Sequence, residues 1–95
     1  MPSTLRVSNI RFVPAPARLR STGLLGFATL TLNEELDLGY IAVRRTIDRR
    51  LVLAFPERRE PGGYSRSIVR PLDQAARDAI TERVIGELRR QKVIT

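Results

Sequence analysis

The first 55 residues alternate between apolar and polar positions with the period of a strand, and the last quarter of the chain switches to the period of a helix. Residues 5–13, LRVSNIRFV, are β-branched and apolar and stop before Pro14. Strict alternation puts Leu5, Val7, Asn9 and Arg11 on one face and Ile10 and Phe12 on the other. Residues 14–22 hold two prolines, which donate no ladder hydrogen bond, and read as a loop carrying Arg18 and Arg20. Residues 23–32 form a second strand, with Leu24, Ala28, Leu30 and Leu32 opposite Phe27, Thr29 and Thr31. After the acidic turn LNEELD, residues 36–47 form a third strand with a bulge at Gly39. Beyond the bulge, Ile41, Val43 and Ile47 share one face, and Tyr40, Ala42 and Arg44 the other.

Residues 51–55, LVLAF, are apolar on both faces, as a central strand covered on both sides would be. Residues 64–70 alternate more loosely and read as a more exposed strand. From there the spacing changes: Leu72, Ala76, Ile80, Val84 and Leu88, with Ala79 and Ile85 beside them, make one helical stripe. Asp73 is placed to cap a helix from about 73 to 91. Gly86 inside it costs up to ~1 kcal/mol relative to alanine. The predicted architecture is α+β: one domain over residues 1–95, an antiparallel meander of four to five strands with one C-terminal amphipathic helix. Such a sheet keeps two edges, so a homodimer is expected.

Composition narrows the chemistry. At 42% hydrophobic and 28% charged the chain is globular, and no apolar run reaches the roughly 20 residues of a membrane span. Without cysteine or a secretory leader pattern, a cytoplasmic protein is expected, with no membrane partner. The absence of His and Cys removes the common nucleophilic triads and ordinary zinc or haem sites, and no phosphate-cradling glycine motif occurs. An enzyme is not expected, nor is a cofactor, a metal or a small-molecule substrate. The carboxylates Glu34, Glu35 and Asp37 read as a solvated turn.

Charge points elsewhere. Seventeen basic residues against 10 acidic ones leave +7, and all but Lys92 of the basic set are arginine. A basic small chain fits a polyanionic partner, most often nucleic acid. The arginine bias itself has two readings, bidentate phosphate recognition or a G+C-rich genome. Residues 1–32 contain Arg6, Arg11, Arg18 and Arg20 and no acid. Arg44, Arg45, Arg49 and Arg50 flank one hairpin turn, where charge also serves to keep an edge soluble. Arg89, Arg90 and Lys92 end the helix, where they either complement its dipole or contact nucleic acid.

One stretch, residues 54–71, AFPERREPGGYSRSIVRP, has specific spacing. Ala54, Pro56, Arg58, Arg59, Pro61, Gly63, Arg66, Ile68 and Pro71 follow a pattern that resembles the stage V sporulation protein G (SpoVG, septation regulator) family. VSNIRFV and GFATLTLN resemble that family's first strands. The resemblance implies a dimeric bacterial regulator that binds DNA, and in some members RNA, in programmes such as sporulation or septation. It carries nucleic-acid contact to Arg58 and Arg59, with Arg66 at another basic position of the motif. Three features depart from the pattern: Glu57 and Glu60 flank the arginine pair, Arg70 stands where histidine is common, and residues 14–22 are longer than the family's usual first loop. Arg58 and Arg59 therefore either meet phosphate or pair with these carboxylates. Tyr64 either stacks on a base or packs as a half-buried strand aromatic. The competing reading is a protein-interaction or assembly module that uses its sheet edge or basic face without specific nucleic-acid binding.

Overall fold

Apolar alternation produces a sheet here because one of its faces is buried under a single helix. The computed structural model describes residues 5–94. In chain order it runs β1 (Val7–Pro14), a one-turn α1 (Ala17–Arg20), β2 (Leu24–Leu32), β3 (Leu36–Arg45), β4 (Leu51–Ala54), β5 (Glu57–Arg59), β6 (Ser65–Ser67) and α2 (Gln74–Arg90). The first four strands form one antiparallel sheet in the order β1-β2-β3-β4, and β5 and β6 form a separate two-stranded ribbon. The fold is α+β, as the sequence predicts.

The core lies between one sheet face and α2. Val7, Ile10, Ala28, Leu30, Ile41, Val43 and Leu53 meet Ile80, Val84, Ile85 and Leu88. Each such side chain contributes about 1.5–3 kcal/mol when fully buried. The Asp73 carboxylate caps α2, accepting from the Ala76 N–H at 2.8 Å. The helix ends in a Schellman motif: the Lys92 N–H donates to the Arg89 carbonyl at 3.0 Å and the Val93 N–H to the Leu88 carbonyl at 3.2 Å. Lys92 holds φ 60 to make it.

Several expectations need correction. In β1, Val7 and Ile10 are both buried, because a bulge between Ser8 and Arg11, with Asn9 at φ 51, switches the faces. β4 is an edge strand, although its apolar composition suggests a centre. The chain leaves the sheet after it at Pro56, which has no N–H to continue a ladder. Ile47 lies in the β3–β4 turn and is fully exposed, because β3 ends at Arg45. Leu72 precedes the helix cap and is exposed too. The strand expected over 64–70 shortens to Ser65–Ser67, and the 14–22 loop contains α1. The bulge at Gly39 is present: Gly39 and Tyr40 together oppose Thr29, with Tyr40 at φ 57.

Candidate nucleic-acid interface

Residues 56–72 leave the sheet as an arm. Its ribbon pairs Glu57 with Ser67, Arg58 with Arg66, and Arg59 with Ser65. The Ile68 N–H closes its base on the Pro56 carbonyl at 3.0 Å. The tip turns through Pro61, Gly62 and Gly63, with φ of 91° and 89° at the glycines, a conformation that side chains resist. The Glu60 N–H donates to the Tyr64 carbonyl across this tip at 2.6 Å.

This geometry divides the arginine pair. Arg58 and Arg66 are direct cross-strand neighbours on one face of the ribbon. Two like charges so placed repel, and one Glu60 oxygen sits 3.8 Å from the Arg58 Nε and 3.9 Å from the Arg66 Nε. Glu60 therefore couples loosely to both. Arg59 projects from the opposite face, beside Ser65. Among the described residues neither Arg59 nor Glu57 forms an ion pair. Of the two carboxylates flanking the pair, only Glu60 engages an arginine. All three arginines are exposed, as is Tyr64, whose half-buried alternative is not what the structure contains.

The second predicted group, Arg89, Arg90 and Lys92, lies at the far end of α2, about 25 Å along the helix from where the arm joins it. Its members differ. Arg90 forks onto Glu87, with Nε 2.8 Å and Nη2 2.5 Å from the two oxygens. The Glu87 carboxyl is pulled down to about 2, first by the Arg90 hydrogen bond and then by that from Gln91. Arg90 is raised by the same contact. Lys92 ends the helix through its backbone, while its side chain is exposed. Arg89 instead lines an open cleft of about 430 Å³ with Arg45, Arg49 and Leu51. Three arginines from β3, the following turn and α2 converge there. From the sequence alone Arg45 and Arg49 are turn charges, because nothing local indicates that the helix end returns to that turn. The neighbouring Asp48 is paired with Arg50 at 3.0 Å.

No family model and no curated protein matches this chain.

Proposed function

We propose that this chain is a small nucleic-acid-binding regulatory protein that acts as a cytoplasmic dimer through its 56–72 arm, as its resemblance to the stage V sporulation protein G family implies. The observation that carries this reading is the ribbon itself. Arg58, Arg59 and Arg66 stand exposed on a projecting two-stranded element, and of its two carboxylates, Glu57 and Glu60, only Glu60 engages them, loosely. Each arginine brought to a phosphate releases counterions, so binding is steep in salt and weak in sequence preference. The role in gene regulation, sporulation or septation rests on the resemblance alone. No helix among the described residues is long and apolar enough to cross a membrane.

Dimer formation is supported by what the protomer leaves uncovered. The β1 edge is blunted by α2: Arg83 donates to the Val7 carbonyl at 3.1 Å and Gln91 to the Ile10 carbonyl at 3.0 Å. Along β4, among the described residues, α2 supplies Arg77 alone, 3.5 Å from the Leu53 carbonyl. The arm also exposes Tyr64, Ile68 and Leu72. These same apolar side chains favour the second reading, an assembly module that engages protein and not nucleic acid.

Titration of labelled DNA and RNA at two salt concentrations separates the readings. The parent binds at low salt, and Arg58→Ala/Arg59→Ala weakens binding and flattens the salt slope by about two. A folded double variant that binds like the parent removes the arm as the site. No binding at low salt leaves the assembly reading. A protomer mass by light scattering across micromolar concentrations refutes the dimer.

A further inference from the structure

We infer that the sheet face turned away from α2 is a stacking platform for unpaired nucleotide bases, which assigns single-stranded nucleic acid as the preferred form of the partner; this rests on the nucleic-acid reading above. The register defines the face. Val13, Phe27, Ala42 and Ala54 are successive cross-strand partners across all four strands. The adjacent rows, Ala28 with Ile41 and Val43 with Leu53, belong to the core under α2. The Val13–Phe27–Ala42–Ala54 row therefore points the other way, where no element among the described residues covers it.

Two rings stand on this face, one on each central strand. Phe27 and Tyr40 meet edge to face, with centroids 6.1 Å apart and planes at 77°. Phe27 is half-buried, whereas Tyr40 is two-thirds exposed. The Tyr40 backbone is held at φ 57, a conformation that a bulky side chain resists, although Gly39 stands beside it in the same bulge. Strain retained by an exposed aromatic is a sign that the ring's position is used. Beside the rings opens a groove of about 320 Å³ lined by Asn9, Arg11, Thr29, Thr31 and Asp37. Its amide, guanidinium, hydroxyls and carboxylate supply the donors and acceptors that read a base edge. Asp37 is already oriented, accepting from the Thr31 hydroxyl at 2.9 Å. Arg11 on β1 and Arg44 on β3 flank the rings with positive charge, which complements a phosphate backbone. Stacked base pairs in a duplex offer exposed rings no free base face, whereas an unpaired base offers both a face and an edge. The charge around the rings favours this occupant over a second copy of the same +7 chain.

The test uses the full chain, with fluorescein-labelled oligothymidylate and oligouridylate of about ten nucleotides and a duplex of equal length, read by anisotropy at low salt. Tyr40→Leu weakens single-strand binding about tenfold and leaves duplex affinity and the salt slope unchanged. Tyr40→Phe restores single-strand binding. Circular dichroism confirms that both variants, changed at an exposed position, remain folded. The inference is overturned if Tyr40→Leu binds single strands like the parent, or if single-strand and duplex binding fall together. It is also overturned if Tyr40→Leu turns a dimer into a monomer without altering single-strand affinity, because the face then belongs to the second copy. A parent that binds duplex normally beside a silent Tyr40→Leu sinks this inference alone. A parent that binds neither probe sinks the nucleic-acid reading with it.

Discussion

The body and the arm are built on different principles. In the body, buried and partly buried positions alternate along β2, and buried positions recur at helical spacing along α2, so the four-stranded sheet and α2 are pinned by the same core. Between Leu53 and Ile80 no residue is buried at all. The arm is held by its own ladder, its glycine turn and the bond from Ile68 to Pro56. An isolated two-stranded hairpin is marginally stable in water. The body therefore determines whether the chain folds, and the arm adds little to that.

Deleting core atoms on one side and arm atoms on the other gives the largest contrast. Leu88 is fully buried, and Leu88→Ala is expected to cost about 2–5 kcal/mol in urea denaturation. Ile68 is 62% exposed, and Ile68→Ala is expected to stay within about 0.5 kcal/mol in dilute protein. If Ile68→Ala instead costs stability that grows with protein concentration, the arm is packed in the dimer and the contrast holds only for the protomer.

Two glycines test the body more finely. A Cβ at Gly26 would strike the Phe12 ring and the Val13 carbonyl, part of which is backbone and cannot yield. Gly26→Ala should lose about 1–3 kcal/mol by prying β1 from β2. A Cβ at Gly86 meets nothing within 4 Å, so the close contact that would justify a helical glycine is absent. Gly86→Ala should gain up to ~1 kcal/mol, raising the urea midpoint with an unchanged slope. Gly86 lines an open groove with Val7 and Ile10 of β1, and a loss on substitution would mean that this groove is filled in solution.

What could be read from the sequence follows the range of the interactions responsible. The Asp73 cap, the Ile80–Val84–Leu88 stripe and the bulge at Gly39 depend on neighbours a few residues away, and all three are present. The β1 bulge hid behind alternation, although Val7 and Ile10, both strongly apolar, sit three apart and asparagine tolerates φ 51. The apolar run of β4 suggests a central strand because Phe55 extends it; that ring instead lies under the Arg77 guanidinium, 5.6 Å from its centroid. The pairing of Arg58 with Arg66, and not with Arg59, follows from the two-residue period of the ribbon. The meeting of Arg89 with Arg45 and Arg49 had no local signal, since tertiary packing alone brings them together.

The smallest expected effect compares the carboxylates that hold arginines in the two regions. In the arm, Glu60 stands 3.8 and 3.9 Å from two guanidiniums, a loose contact. In the body, Glu87 takes the forked Arg90, and its pKa falls from an ordinary 4.5 to about 2. A carboxyl depressed in the folded state supplies its stabilisation above its unfolded pKa and loses it as pH falls through the folded value. The helix-end fork should thus be intact above about pH 4.5 and open progressively toward pH 2. Carboxyl NMR titration of Glu87 reads this directly, and Arg90→Ala should return the midpoint toward 4.5. A parent midpoint already near 4.5 would mean that the fork does not form in solution. Arg90 would then join Arg89 as an available cation, and the body would carry a basic end comparable to the arm.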